Sequence, residues 1–273
     1  MEGTEDNNTF SRNIDQWNTP EILKFIHLSD IDAYEAVSAA MEQITEATEK
    51  IVERLDDGGR VIYAGAGTSG RLAAQDVAEL WPTYGIGSTL FDYIIAGGRE
   101  AISHSVEGAE DSLQESVDLL KQKGLGKNDV VFGITASGTT PFVLSALEYA
   151  RSVGALSVGM TNNRCRPVEE IAKIAIVLNT GPEVIQGSTR MKAGTSQKMV
   201  LSMISTAVAI KLGYTHRNTM SNMGAWYNQK LQRRAVKMVV QEFGVSEADA
   251  RKLLEDHSYR IAEVFSLLSR KKG

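Results

Sequence analysis

The sequence predicts an α/β protein, a three-layer α/β/α sandwich with about five parallel strands and helical segments at both ends. Three observations carry this. Between Arg60 and Gly213, short apolar runs bounded by glycine alternate with helical stretches, the pattern of βαβ units. Before Gly58 only helical periodicity is present, and after Gly213 the strand-like runs stop. Finally, 42% hydrophobic and 23% charged residues over 273 positions can bury a core covered on both faces.

Residues 1–18 are polar, and the sequence predicts that they are loose or draped over a partner. Thr19-Pro20-Glu21 has the order of an N-cap, a first-turn proline and an acidic first turn, opening the short helix EILKFIHLS. One long helix is expected from about Asp30 to Asp56, with Ile31, Tyr34, Val37, Met41, Ile44, Ile51, Val52 and Leu55 at helical spacing; Gly58-Gly59 ends it. RVIYAG is a buried strand, LAAQDVAELW a helix and STLFDYIIAGG a second strand. The segment 99–124 holds one or two helices. DVVFGITAS, ALSVGMTN and AIVLNT supply three more strands, separated by the helices TPFVLSALEYARSVG and PVEEIAKI. A long helix covers TRMKAGTSQKMVLSMISTAVAIKLG. GAWYNQKLQRRAVKMVVQEFG is helical, and Ser246 to Asp249 resembles a capping box before ADARKLLEDHSYRIAEVFSLL. The expected segments are 1–52 (helical), 53–215 (α/β) and 216–273 (helical).

Composition narrows the function classes. A net charge of −5 argues against nucleic acid or an anionic membrane as the main partner. The first residues lack the apolar core of a signal peptide, and no run of about eighteen apolar residues occurs. Cys165 is the only cysteine, which fits a reducing, cytoplasmic setting. His27, His104, His216 and His257 lack metal-ligand spacing, so no metal is expected.

Three loops carry the chemistry. GAGTSG, Gly65 to Gly70, lies between a strand and a helix and satisfies the dinucleotide fingerprint G-x-G-x-x-G. Yet Asp92, the nearest acid for a ribose, is followed by further strand residues, while Gly67, Thr68 and Ser69 offer amides and hydroxyls to a phosphate. ASGTTP repeats the theme after another strand, with Ser137, Thr139 and Thr140 near a helix start. GPEVIQGSTRMKAGTSQK gathers Glu183, Ser188, Thr189, Arg190 and Lys192 before the longest core helix. Hydroxyl-rich loops at the carboxyl ends of parallel strands point to a phosphorylated metabolite rather than a nicotinamide or flavin.

VIYAGAGTSGR, GITASGTTP and GPEVIQGSTRMKAGT together resemble the sugar isomerase (SIS) domain. More narrowly they are similar to the N-acetylmuramic acid 6-phosphate etherases and their relative, the glucokinase regulatory protein. The third segment fits that family's G-P-E-x-x-x-G-S-[ST]-R-[LM]-K-x-G-[ST] at every fixed position, and the resemblance covers about residues 10–240. It implies a SIS-type sandwich and cleavage of a lactyl ether to N-acetylglucosamine 6-phosphate and D-lactate. It also implies a cytoplasmic homodimer, a phosphorylated amino-sugar substrate and no cofactor. Two catalytic glutamates are implied as well. Glu79 stands in ELWPT, where the family has E-C-P-P-T, and Glu110 is the second glutamate of VEGAED. Glu79 is expected in the last turn of a helix cut short by Pro82, where the negative end of the dipole suits a proton donor. Glu107 and Glu110 are expected on one helix face, and spacing alone leaves open which of them faces inward, or whether both are solvated. Only the resemblance selects Glu110.

The sequence departs from the family at several points. Leu80-Trp81 replaces Cys-Pro, Thr139 stands where A-S-G-R-T-P has arginine, TEDNN lacks the arginine of T-E-x-R-N, and MSNMGAW replaces M-V-D-V. Missing arginines matter beside an anionic substrate. A lyase or isomerase on another sugar phosphate, and a non-catalytic sugar-phosphate sensor, therefore stand as alternatives to the etherase.

Overall fold

The computed structural model describes residues 3–221 and 229–272. Five strands form one wholly parallel sheet in the order β2-β1-β3-β4-β5: β1 (Val61–Gly65), β2 (Phe91–Ile95), β3 (Val130–Thr135), β4 (Leu156–Thr161) and β5 (Ile174–Val177). The three central strands are apolar runs buried on both faces, as helices on both sides of a parallel sheet require. Chain direction across the sheet reverses between β1 and β3, which places a crevice at their carboxyl ends.

One face of the sheet carries α2 (Ile31–Ala39), α3 (Met41–Asp56), α4 (Gly67–Tyr84) and α8 (Lys192–Lys211). The other carries α5 (Glu115–Gln122), α6 (Pro141–Ser152) and α7 (Pro167–Ile171). The helix expected over 30–56 is two helices. Ala40 leaves helical geometry between them (φ −97°, ψ 11°), and Val37, Ala40 and Ile44 are all buried, so the break keeps the apolar face on the core. Ahead of it, α1 (Thr19–Ser29) is capped by Asn18 rather than Thr19; Asn18 and Glu21 exchange side-chain-to-backbone hydrogen bonds at 3.0 and 3.1 Å.

Two further expectations change. Pro82 does not end α4, which runs to Tyr84 and stops on Gly85 in the left-handed conformation. The proline removes one amide near a terminus, and the carbonyl that loses its partner belongs to exposed Ala78. The helices expected over 99–124 reduce to 3-10 turns at Gly98–Ile102 and Ala109–Asp111, followed by α5. Gly108, at positive φ, breaks the stretch, and Gly97 and Gly98, also at positive φ, turn the chain into it.

Beyond α8, α9 (Gln229–Phe243), α10 (Glu247–Asp256) and α11 (Ile261–Lys272) enclose their own core of Val236, Val239, Leu254, Ile261, Val264 and Phe265. The helix start expected at GAWYN lies outside the described residues. Ser246 caps α10 by accepting from the Asp249 amide at 3.1 Å, but its hydroxyl donates to the Asp249 carboxylate at 2.6 Å, so the reciprocal half of a capping box is absent. Among the described residues, no helix is long and apolar enough to cross a membrane.

Candidate sugar-phosphate site

All three sequence-predicted loops lie at the carboxyl edge of the sheet: the first after β1, the second after β3, the third between β5 and α8. In the first loop the glycines divide their work. A side chain on Gly70 would sit 2.6 Å from Ile95 and one on Gly65 would sit 2.8 Å from the Gly70 amide, so these two permit strand and helix to touch. Gly67 alone has positive φ (+52°) with open space above it, and it begins α4. An anion can approach the backbone at Gly67.

Thr68 and Thr189 both lie against Gly194, whose absent side chain would meet Thr68 at 3.4 Å and the Thr189 carbonyl at 3.5 Å. This joins the first loop to the third. Beneath them runs a buried relay. Ser69 donates to Gln197 at 2.8 Å, Gln197 donates to Asn162 at 2.8 Å, and Asn162 donates to Ser196 at 2.8 Å. The Ser69 hydroxyl is thus committed to protein, whereas those of Thr68, Ser188 and Thr189 make no side-chain hydrogen bond among the described residues.

Glu183 is fully buried and accepts from the first amides of α8, Lys192 at 3.0 Å and Ala193 at 2.9 Å. The sequence suggests a substrate contact for this carboxylate; the structure sets it on a helix N-terminus, where it satisfies otherwise orphaned donors. Burial pushes its pKa above the ordinary carboxylate range, opposed by those two hydrogen bonds. Lys192 leads away from the loop: its side chain is 4% exposed and its ammonium pairs with Asp32 of α2 at 2.7 Å.

In the second loop Thr135, Ser137, Thr139 and Thr140 form a hydroxyl cluster with contacts of 2.7–3.2 Å, ahead of the first turn of α6. Asn163, which follows β4, donates to the Ala136 carbonyl at 2.8 Å and holds Thr4 by two hydrogen bonds. The segment from Thr4 to Ser11 is therefore docked on its own chain and not loose. Ser11 donates to the Val184 carbonyl at 2.7 Å, and Gln186 donates to the Glu5 carbonyl at 2.9 Å. This strap ties the second loop to the third. Asn162 and Asn163 follow a strand just as the first two loops do, and that position was the available signal for them.

The two glutamates are not brought together within one chain. Glu110 sits in the 3-10 turn at 109–111 and lines a cleft of about 120 Å³ with Gly67 and Arg71. Glu107 lines the same cleft but lies outside that turn, its carboxylate accepting from Ser105 at 2.6 Å. Arg71 fixes the cleft wall by donating to the carbonyls of Ala101 at 2.9 Å and His104 at 2.8 Å. Glu79 faces a different cleft of about 160 Å³ between α4 and α8, with Asp76, Lys198 and Ser202. It stands twelve residues past Gly67, about 18 Å along the helix, and outside the last turn. Under that second cleft, Asp76 accepts from Ser205 at 3.1 Å and from fully buried Tyr63 at 3.3 Å. Burial raises the Asp76 pKa, with Ser205, Tyr63 and Lys198 pulling the other way. Asp92 is taken by an ion pair with Lys123 and has no carboxylate free for a ribose.

A parallel sheet of this order, with hydroxyl-lined loops converging at the carboxyl ends of its strands, defines a SIS-domain protein. The SIS domain family matches residues 102–207, and the glucokinase regulatory protein N-terminal SIS domain matches residues 43–151. Relatives named N-acetylmuramic acid 6-phosphate etherase are 44% identical in Clostridium beijerinckii, covering 98% of this chain and 88% of that protein. In Bacillus licheniformis the identity is 43%, over 98% and 90% of the two chains. The chain belongs to the N-acetylmuramic acid 6-phosphate etherase family, a family of enzymes. Among solved structures, a phosphoheptose isomerase from Francisella tularensis shares the fold with a TM-score of 0.57 at 18% identity, over 71% of this chain and all of that one (100%). A phosphoheptose isomerase from Neisseria gonorrhoeae gives 0.50 at 15%, over 68% and 98%.

Proposed function

We propose that this chain cleaves the D-lactyl ether of N-acetylmuramic acid 6-phosphate, giving N-acetylglucosamine 6-phosphate and D-lactate in cytoplasmic recycling of cell-wall sugars. The observation that carries the reading is that Glu110 lines the same cleft as Gly67, the anion-accepting start of α4. The names of the relatives supply the substrate.

An alkoxide leaves an alkyl ether poorly. Opening the sugar ring exposes an aldehyde, which acidifies the proton on the adjacent carbon. Glu110 removes that proton as base, and Glu79 protonates the lactate oxygen as its bond to carbon breaks. Water then adds across the resulting alkene, which completes the exchange of lactate for hydroxyl. Two carboxyl groups in opposite protonation states suffice, without metal or redox cofactor. Gly67, Thr68, Ser137, Thr139, Thr140, Ser188 and Thr189 hold the phosphorylated sugar, while Ser69, Glu183 and Lys192 hold the loops in place.

Because α4 keeps Glu79 about 18 Å from Gly67, a homodimer completes the site, one protomer supplying Glu110 and its partner Glu79. Leu23, Leu28, Ile31 and Tyr34 on α1 and α2 are exposed apolar residues that such an association would cover. Incubation with N-acetylmuramic acid 6-phosphate and assay of released D-lactate tests the reading. Failure to release lactate, with N-acetylglucosamine 6-phosphate still bound, would replace the etherase with a sugar-phosphate sensor.

A further inference from the structure

The second loop offers a phosphate several hydroxyls and the first turn of α6, but its own residues carry no positive charge. The neighbouring cation is Arg166, in the segment between β4 and α7. Gly138, at the centre of the loop, has φ +76°, and a side chain there would lie 2.5 Å from Cβ and 2.7 Å from Cγ of Arg166. The arginine stem therefore lies directly across the loop. At its far end, a terminal guanidinium nitrogen lies 3.8 Å from where a side chain on Gly3 would begin, so the group is framed by the loop and the N-terminal strap.

Among the described residues this guanidinium is uncommitted. Its Nε is buried without a hydrogen-bond partner. Glu169, the nearest acid in sequence, uses its carboxylate on the Arg166 backbone amide at 2.9 Å. No ion pair to Arg166 forms among the described residues. A buried arginine donor is ordinarily paired, and one left open beside a hydroxyl cluster is matched to an anion that arrives with a ligand. The planar fork suits the paired oxygens of a phosphate.

We propose that Arg166 is a phosphate-binding residue of the second loop, supplying the charge that Ser137, Thr139 and Thr140 lack. This rests on the sugar-phosphate reading of the site, but not on the ether chemistry. Thr139 neighbours Gly138 and is exposed, so a cation placed there would reach the same space.

The test is calorimetric titration of the full chain with inorganic phosphate, N-acetylglucosamine 6-phosphate, unphosphorylated N-acetylglucosamine and D-lactate, alongside the lactate assay. Arg166→Gln should weaken both phosphate-bearing ligands by about tenfold or more, the loss of charge-assisted hydrogen bonds. It should leave the plain sugar and the melting temperature unchanged. Arg166→Lys should fall between, and Thr139→Arg in the Arg166→Gln background should recover affinity. Unchanged phosphate affinity in Arg166→Gln overturns the proposal, as does wild-type protein that binds no phosphate. Weakened D-lactate binding with phosphate binding intact overturns it too, by moving the guanidinium to a carboxylate. Arg166-dependent phosphate binding without lactate release would support the proposal while the etherase reading fails. Lactate release with an indifferent Arg166→Gln gives the reverse.

Discussion

Asn163 grips Thr4 twice, accepting from its backbone amide and donating to its hydroxyl, both at 2.9 Å, across 159 residues of sequence. The same amide group also donates to the Ala136 carbonyl, so one side chain spaces the strap from the second loop. Thr4→Val deletes the hydroxyl while keeping the shape and should cost about 1 kcal/mol in urea unfolding. Asn163→Ala strands the Thr4 amide, while the Ala136 carbonyl keeps the Asn162 amide at 3.0 Å, and should cost about 1–3 kcal/mol. If the strap also spaces the loops for substrate, Thr4→Val raises KM more than it lowers kcat, and Thr4→Ser restores both.

Glu183 holds the start of α8, and its removal leaves two buried amides unpaired. Glu183→Ala should therefore destabilise the chain by about 2 kcal/mol or more. Glu183→Gln keeps one acceptor but turns an NH2 group towards a donor, and should be intermediate. A variant with wild-type stability in denaturant titration would argue against the capping role.

Asp76 gives a pH signature. Burial raises its folded-state pKa, so between the ordinary carboxylate range and that raised value the folded chain binds more protons than the unfolded one. Its contribution to stability is present at the acid end of this window and is lost as pH rises through the folded-state pKa. Asp76→Asn keeps an acceptor for Tyr63 or Ser205 and removes the charge, leaving Glu79 and Lys198 to face each other. Its stability should lack this descent, read by thermal unfolding at a series of pH values. An unaltered slope would mean that another group governs the window.

The proposal that two protomers share the site makes the strongest functional prediction. Glu79→Gln and Glu110→Gln should each abolish lactate release when pure. Mixed and re-equilibrated, random pairing gives half the dimers one intact site of two, or about a quarter of wild-type activity. No recovery on mixing would place both acids on one chain.

Much of the fold is legible because glycine-bounded apolar runs in a parallel sheet leave few alternatives. VIYAG, VVFGIT and LSVGMT are buried on both faces and read as such. The turn that carries Glu110 is less legible. Residues 99–124 are rich in helix formers, and only Gly108, visible in the sequence, marks the break that positive φ imposes. Sequence puts Glu79 at a helix end because proline usually stops helices, yet so close to a terminus it removes only one hydrogen bond. The partners of the loops are hidden altogether. Gln197, Asn162 and Thr4 act across 128 residues or more, or through a second amide, and no local pattern announces such pairs.

The strap also sets an order of events. Thr4 and Glu5 leave the ribosome ahead of their partners at Asn163 and Gln186, which follow 159 and 181 residues later. At about 5–20 residues per second, that is a wait of many seconds. During it the helices and the first strands of the sheet can form, while the strap has nothing to hold. The docking of the strap thus waits until β1 to β4 have been made, and a nascent chain paused before Asn163 would lack the strap's anchors along with β5 and α8.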